Sequence, residues 1–167
     1  MQLDSLYQEV ILDHYKNPSH KKLNSTYTCQ VHHVNPSCGD EVTLNLELTG
    51  EKVATISWDG IGCSISQAST SIMCDLIDGK SSSVVFAIID HFVSMMQSKG
   101  KEKGDETILE DGVALAGVSQ FPARIKCALL GWMACKDALS QALANTDQAT
   151  GQSQLSEHDL THEGDIK

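Results

Sequence analysis

The sequence lacks any long hydrophobic run. No stretch approaches the roughly 18 uncharged, apolar residues that a helix needs to cross a bilayer. Residues 1–4 also do not follow the basic, then apolar, then small-residue order of a secretory signal. We therefore expect a cytoplasmic protein with no membrane partner.

An excess of positive charge is missing as well. The chain has 22 Asp and Glu residues against 12 Lys and Arg residues, which gives a formal net charge of -10. Proteins that hold phosphate backbones use Lys and Arg to displace the condensed counterions. The charge balance therefore predicts no nucleic-acid partner.

None of the six cysteines forms the short CxxC pair that marks a zinc knuckle. In the reducing cytoplasm these cysteines are expected to remain thiols, because structural disulfides are disfavoured there. Thiols of this kind can bind metal, carry out sulfur chemistry, or pack as small hydrophobic side chains. The cysteine count alone leaves these three roles open.

The length and apolar content fit one core. The chain has 167 residues, of which 41% are hydrophobic, as in ordinary globular domains. Residues 1–144 are predicted to form a single domain. The apolar pattern ends near residue 145, and residues 145–167 are rich in Gln, Ser, Thr, Asp and Glu, so we expect an acidic, polar and disordered tail.

Apolar periodicity predicts an α+β fold. Residues at helical spacing indicate a first helix over about 3–15, two helices before and after Gly79, a short helix over 108–116, and a long final helix that begins at Pro122. Branched residues and strict alternation indicate strands over about 27–34, 42–48 and 54–58. We expect a three-stranded antiparallel sheet with helices packed on one face. Residues 59–63 are predicted to form a loop, and a serine among residues 64–66 is expected to cap the following helix.

Three cysteines occupy unusual positions in this pattern. Cys38 lies in a predicted turn, Cys63 at a helix entry, and Cys127 in the opening turns of the last helix. A helix start favours the thiolate, which is the form that binds metal or attacks sulfur. Asp40 points to the same side as Cys38 if that segment is extended. Zinc accepts three thiolates and a carboxylate, but these residues are far apart in the chain, so their spacing alone leaves a metal site and plain packing both open.

The remaining three cysteines, Cys29, Cys74 and Cys135, fall inside predicted helices and strands and match no ligand motif. We expect them to pack in the core.

Three segments around the unusual cysteines resemble the motifs of a known family. They are NPSCGD over 35–40, GIGCSIS over 60–66 and GVSQFPARIKC over 117–127, and residues 6–18 also resemble that family's opening helix. Together they are similar to the U-type iron–sulfur assembly proteins, the IscU and NifU N-terminal family. The resemblance spans nearly all of residues 3–144 and implies a SufU/IscU-like fold.

Within this family the chain is most similar to the SufU branch. IscU-type scaffolds have a histidine directly before the third cysteine, where this chain has Lys126, and a Leu-Pro-Pro-Val-Lys stretch, where it has FPAR over 121–124. SufU proteins carry an insertion between the second and third cysteines, which residues 99–118 resemble. The resemblance implies a zinc-dependent sulfurtransferase. Such a protein accepts persulfide sulfur from a SufS-type cysteine desulfurase, a pyridoxal-phosphate enzyme, and passes it toward a downstream cluster-assembly scaffold.

By position, the resemblance implies that Cys38, Asp40, Cys63 and Cys127 bind the zinc ion. We expect Cys38 to accept the sulfur, because its turn can move while the other two cysteines sit on packed helices. Arg124 lies three residues before Cys127 and would share its helical face, where it could stabilise negative charge on sulfur. The alternative for Arg124 is an ordinary surface arginine.

Two other functions use the same residues. In the first, the protein is a scaffold on which an iron–sulfur cluster is built on the three cysteines and passed to apo-proteins. In the second, zinc only holds the fold together.

Overall fold

A computed structural model describes residues 5–166 of the chain, with side chains described from residue 5 through residue 146. It confirms the predicted α+β fold. The elements in chain order are α1 (Ser5–Lys16), β1 (Cys29–Asn35), β2 (Asp40–Thr49), β3 (Lys52–Ile61), α2 (Ser64–Ile77), α3 (Ser82–Gln97), α4 (Glu106–Leu109), a 3₁₀ segment (Glu110–Gln120) and α5 (Pro122–Ile166).

The predicted tail, residues 145–167, lies almost wholly beyond the residues whose side chains are described. Its disorder stays a prediction, and so does the division of the chain at residue 144.

The sheet has the order β1-β2-β3, and both strand pairs are antiparallel. In the middle of the sheet Leu44 lies opposite Val31 on one side and opposite Trp58 on the other. All three side chains are buried on the face over which α5 packs, because residues paired across strands point to the same face. The predicted sheet with one helix-covered face is therefore confirmed.

Strand β3 is longer than the sequence predicted. Its last residues, Asp59 to Ile61, continue the pairing with β2 instead of forming a loop. Gly60 makes this possible, since a Cβ at that position would overlap the carbonyl oxygen of Glu41. Only Gly62 and Cys63 remain between β3 and α2, so Cys63 is held directly at the end of the sheet.

The start of α2 also differs from the prediction. Its N-cap residue is Cys63, whose side chain makes no capping hydrogen bond, and no serine occupies that position. The Ser66 hydroxyl instead donates to the Cys63 carbonyl at 3.1 Å. Helix α3 does have a serine cap, because Ser81 Oγ accepts from the backbone N–H of Val84.

The short helix predicted over residues 108–116 is replaced by two elements. Helix α4 ends at Leu109, and the chain continues as the 3₁₀ segment to Gln120. The break falls at Glu110, whose φ of 45° lies in the left-handed region and cannot continue an α-helix.

Helices α2 and α5 are joined by buried polar contacts. Ser69 Oγ donates to the carbonyl of Ala128 at 2.6 Å and accepts from the indole N–H of Trp132 at 2.8 Å. The ring of Phe92 in α3 stacks on the ring of Trp132 in α5, with the two ring centroids 3.9 Å apart. These contacts fix α2 and α5 relative to each other near the N-terminal ends at which Cys63 and Cys127 lie.

Histidines tie the outer elements to this core. His14 of α1 is within hydrogen-bond distance of Ser71 Oγ in α2, at 2.8 Å, and of Asp111 in the 3₁₀ segment, at 3.0 Å. His33 of β1 lies 2.8 Å from the carboxylate of Asp137 in α5. Among the described residues, no helix has the length and apolar character of a membrane span.

Cys29, Cys74 and Cys135 are buried, as expected. Burial raises the pKa of the Cys135 thiol to about 12. Burial also raises the pKa of the Cys74 thiol well above its usual value, and the neighbouring Cys135 adds to the effect. Both thiols are therefore held in the neutral form by the folded protein.

The burial of the Cys74 and Cys135 thiols predicts that the folded protein loses stability in alkaline solution. Their stabilising contribution is fully present below the unfolded-state pKa of 9.0 and is lost as the pH rises toward their higher folded-state values. Each thiol should lower the free energy of unfolding by about 1.4 kcal/mol per pH unit above that point. Urea unfolding at pH 8, 9 and 10 should show a steeper decline for the wild type than for the double variant Cys74→Ala, Cys135→Ala. Equal slopes would contradict the prediction.

Candidate metal centre

The four residues expected to bind metal meet at one end of the sheet. Cys38 lies in the turn between β1 and β2, and Asp40 is the first residue of β2. Cys63 lies between β3 and α2, and Cys127 faces them from the start of α5. The structure brings Cys38, Asp40 and Cys127 together, although Cys38 and Cys127 are 89 positions apart in the sequence. It places Cys63 beside Asp40 but outside the group of ligand atoms that all lie within 4.8 Å of one another.

The turn that carries Cys38 is built by its neighbours. The carbonyl of Asn35 accepts hydrogen bonds from the N–H groups of Cys38, at 3.3 Å, and Gly39, at 2.9 Å. Pro36 suits the second position of such a turn, and Gly39 adopts a φ of 75°, which glycine reaches without a steric penalty. Cys38 is exposed on this turn, whereas Cys127 is buried and Cys63 is partly buried. Cys38 is therefore the cysteine that another protein can reach.

The donor atoms lie at metal-binding separations. The sulfur atoms of Cys38 and Cys127 are 3.7 Å apart, and one ligand atom each from Cys38, Asp40 and Cys127 lie within 4.8 Å of one another. Cys63 Sγ lies 3.8 Å from Asp40 Oδ2. The backbone N–H of Cys63 donates to the other carboxylate oxygen, Oδ1, at 3.0 Å.

The separation of Cys38 from Cys127 and that of Cys63 from Asp40 each match an edge of a tetrahedral zinc site. Two thiolates about 2.3 Å from zinc are about 3.8 Å apart at the tetrahedral angle, and a thiolate and a carboxylate oxygen are about 3.5 Å apart. A disulfide would need sulfurs about 2.05 Å apart, so the 3.7 Å between Cys38 and Cys127 is the spacing of two ligands rather than of a bond. Three sulfurs and one oxygen are also a donor set that zinc accepts.

The electrostatics of the cluster favour a cation at its centre. Burial acts to raise the pKa of Asp40, but hydrogen bonds from the thiols of Cys38 and Cys127 and from Cys63 together hold it below its usual value. Burial, the hydrogen bond with Asp40 and the charge of Cys63 raise the pKa of the Cys127 thiol well above its usual range. At Cys127 these effects outweigh the helix start, which favours the thiolate. A bound cation reverses this balance, because it stabilises every anionic ligand at once.

Gly62 allows the backbone to pass close to the carboxylate. A Cβ at this position would lie 2.6 Å from Asp40 Oδ1 and would overlap Ser66 Oγ. Only glycine therefore lets the end of β3 approach Asp40 closely enough for the Cys63 N–H to reach it.

Arg124 is exposed in the first turn of α5, one turn before Cys127. Among the described side chains, no hydrogen bond or ion pair joins its guanidinium group to the cluster. Arg124 therefore lies at the end of α5 that carries Cys127, and its side chain is exposed.

Asn35 is a residue of this site that the sequence reasoning did not identify. It is only 8% exposed, and its side-chain Nδ2 is buried without a hydrogen-bond partner. In the sequence, Asn35 opens the NPSCGD motif and suits the first position of a turn, but neither feature assigned it a role in the site.

A three-stranded sheet covered by helices on one face, with a Cys, Asp and Cys cluster at its end, defines the class of this protein. The chain belongs to the NifU-like N terminal domain family, whose profile matches residues 6–128.

Individual relatives agree with this assignment. The chain is 45% identical to the zinc-dependent sulfurtransferase SufU of Bacillus subtilis over 83% of its own length and 92% of that protein. It is 39% identical to the iron–sulfur cluster assembly scaffold protein IscU of Streptococcus pyogenes, over 90% of this chain and 92% of that protein. Among solved structures, it matches a candidate cluster-assembly scaffold of the SUF system from Fervidobacterium islandicum AW-1 with a TM-score of 0.73 and 35% identity, over 81% of this chain and 97% of that one.

The contact between Gly62 and Asp40 predicts that Gly62→Ala weakens zinc binding by about tenfold or more, since supporting contacts of this kind typically contribute that much to metal affinity. The measurement is competition with a chromophoric zinc chelator. The control is Gly79→Ala, because a Cβ at Gly79 meets nothing within 4 Å. Unlike Gly62, Gly79 has a positive φ, 77°. The control should lose about 1 kcal/mol of stability from backbone strain and retain its zinc affinity. Wild-type affinity in Gly62→Ala would show that the close approach is unimportant.

Proposed function

We propose that this protein is a zinc-dependent sulfurtransferase of iron–sulfur cluster assembly, which accepts persulfide sulfur from a partner cysteine desulfurase. The observation that carries the proposal is the exposed Cys38 thiol, whose sulfur lies 3.7 Å from that of Cys127 in a group that also contains the Asp40 carboxylate. The similarity to the B. subtilis zinc-dependent sulfurtransferase supports it.

Cys38, Asp40, Cys63 and Cys127 hold the zinc ion in this proposal. A bound zinc ion would keep these thiols deprotonated at neutral pH and protect them from oxidation. Cys63 and Cys127 are fixed by the buried contacts between α2 and α5, and Asp40 is oriented by the Cys63 N–H. The exposed turn makes Cys38 the ligand that can leave the site and return to it.

Sulfur transfer is then an exchange between two cysteines. The Cys38 thiolate attacks the outer sulfur of the persulfide on the desulfurase, and a new S–S bond forms as the old one breaks. The desulfurase cysteine departs as a thiolate, and Cys38 now carries the persulfide. No net oxidation occurs, so the step needs no further oxidant. Attack by an acceptor thiol on the outer sulfur of the Cys38 persulfide passes the sulfur onward in the same way.

Arg124 is proposed to stabilise negative charge on the incoming persulfide. Its place one turn before Cys127 and its exposed guanidinium support this role, because arginine keeps its charge at any physiological pH.

The proposed partners are a SufS-type desulfurase with pyridoxal phosphate as its cofactor and a downstream cluster-assembly scaffold, both in the cytoplasm.

The second candidate function is that of a scaffold for an iron–sulfur cluster. It is favoured by the similarity to two proteins described as IscU scaffolds, at 39% and 35% identity. The same three cysteines would then hold a cluster in place of zinc.

The proposal predicts that Cys38→Ala abolishes sulfur acceptance. Zinc-loaded protein is mixed with a desulfurase and ³⁵S-labelled cysteine, and both label transfer and cysteine turnover are measured. Wild type should become labelled and raise turnover, and Cys38→Ala should lose both by at least about fiftyfold because the attacking sulfur is gone. The control is Cys29→Ala, which removes a buried thiol and should transfer sulfur normally.

In the same assay, Arg124→Ala should accept labelled sulfur about threefold to fivefold more slowly than wild type, the effect expected from the loss of a partly screened charge. Lys126→Ala, on the same exposed turn, should accept sulfur at the wild-type rate.

Undiminished transfer by Cys38→Ala would refute the proposed acceptor. A stable iron–sulfur chromophore after anaerobic reconstitution, passed on to an apo-protein without label on Cys38, would instead support the scaffold. Unfolding on zinc removal, with sulfur transfer never observed, would leave zinc a structural role only.

A further inference from the structure

An apolar groove lies between α1 and the 3₁₀ segment. Its volume is about 370 Å³, and five apolar or aromatic residues line it: Leu6, Tyr7, Val10, Val113 and Ala114. Val113 and Ala114 are buried, whereas the Leu6 residue is 61% exposed. Covering such a surface is favourable because it removes apolar area from water. The groove therefore has the character of a contact surface.

The rest of the lining is acidic. Glu106, Glu110 and Asp111 complete the groove. A neighbouring cavity of about 180 Å³ shares Glu110 and Asp111 with it and adds Asp75 of α2. All four acidic residues are exposed, and within the described part of the chain no Lys or Arg lines either cavity. The groove thus combines an apolar lining with a negatively charged rim.

Two of these carboxylates have no partner among the residues that the structure describes. Asp75 and Asp111 each have a histidine nitrogen within 3.3 Å. The carboxylates of Glu106 and Glu110, in contrast, form no hydrogen bond or ion pair with a described side chain. Their charges are therefore available to cationic groups of another molecule.

The acidic residues are too far apart to share one metal ion. Among the described residues, no three of them place their oxygen atoms within 4.8 Å of one another, as the ligand atoms of Cys38, Asp40 and Cys127 do. The negative charge is instead distributed along the groove. Such a distribution suits several cationic side chains better than a single cation.

The chemistry of the groove distinguishes between possible occupants. The apolar lining fits apolar side chains, and the acidic rim fits Lys or Arg next to them. Nucleic acids and anionic lipid surfaces are negatively charged, so the rim opposes their binding. Residues 145–167 of this chain contain five Asp and Glu against one Lys, and a second copy of the chain has a net charge of -10. Both are therefore disfavoured by charge as well.

We propose that this groove docks a basic amphipathic segment of a partner protein. The apolar side chains of that segment pack against Leu6 and Val10, and its Lys or Arg side chains pair with Glu106 and Glu110. The inference goes beyond the proposed function and does not depend on it.

The groove lies apart from the cysteine cluster. Asp75 is 12 positions after Cys63, which corresponds to about 18 Å along α2. A segment bound in the groove therefore leaves the exposed turn with Cys38 uncovered. The partner that docks there can bind while the cysteine cluster is engaged with another protein.

The charged rim is tested with the double variant Glu106→Gln, Glu110→Gln. It removes the two unpaired charges and retains the size of both side chains. The matched control is the double variant Glu51→Gln, Asp90→Asn, which removes two exposed charges that do not line the groove. Both variants change the net charge of the chain equally.

The apolar lining is tested with Leu6→Ser. The matched control is Leu12→Ser, because Leu12 is 47% exposed on the same helix but does not line the groove. Both substitutions replace an exposed leucine of α1 by the same polar residue.

The probe is a fluorescein-labelled helical peptide of Leu and Lys, about 14 residues long, with its leucines on one face. Fluorescence anisotropy measures its binding to the full chain at about 0.15 M salt, where long-range attraction between exposed charges is screened. We expect wild type to bind it with a micromolar Kd. Each groove variant should bind it about fivefold more weakly or worse, because each removes one of the two interactions. Both controls should bind it as wild type does, and a peptide with Glu in place of every Lys should not bind.

Absence of binding to wild type would overturn the inference. Equal weakening by the two double variants would do so too, because the attraction would then follow net charge and not the groove. Wild-type affinity in Leu6→Ser would show that the apolar lining is not used. Self-association of the chain that Leu6→Ser abolishes, measured by sedimentation equilibrium, would assign the groove to a second copy and would also overturn the inference.

Discussion

The carboxylate of Asp40 is the contact on which the site depends. It stands at the first residue of β2, accepts the Cys63 N–H at 3.0 Å, and has the thiols of Cys38, Cys63 and Cys127 around it. Three segments far apart in the chain therefore meet at one acidic group. Because carboxylates and thiolates repel one another once they ionise, the cluster is stable as an anionic set only around a cation. The fold brings the proposed ligands together, and a bound metal would determine their charge.

The parts of the fold differ in how firmly they hold these ligands. Cys127 and Cys63 sit on helices that are locked by the contacts of Ser69 and by the stacking on Trp132, and Asp40 is held by the sheet. Cys38 is carried by a turn of four residues with a left-handed glycine and is exposed. In the proposed function, three ligands held by packed elements and one on an exposed turn would suit a site that keeps its metal while one sulfur reacts. The harder oxygen ligand of Asp40 also favours exchange over permanent closure.

The sequence predicted the elements well where periodicity is strong, as in α3 and in the alternation of β2. It did not predict the extension of β3 or Cys63 as the N-cap residue, because both depend on how closely Gly60 and Gly62 let the backbone approach β2. The ligand set followed from resemblance to a family and not from spacing, since contact between residues 38 and 127 is a property of the whole fold. The pairing of His33 with Asp137, 104 residues away, was beyond local patterns for the same reason. The unpaired amide of Asn35 could be recognised only from three-dimensional contacts.

The central claim is that three sulfurs and one carboxylate oxygen surround one zinc ion. X-ray absorption at the zinc edge, on freshly purified protein with its metal content measured, tests this most directly. The account predicts about one zinc per chain with three sulfur neighbours at about 2.3 Å and one oxygen at about 2.0 Å, and with the oxygen shell altered in Asp40→Ala. Zinc bound only by nitrogen and oxygen, or an unchanged spectrum in a Cys127→Ala variant, would contradict it.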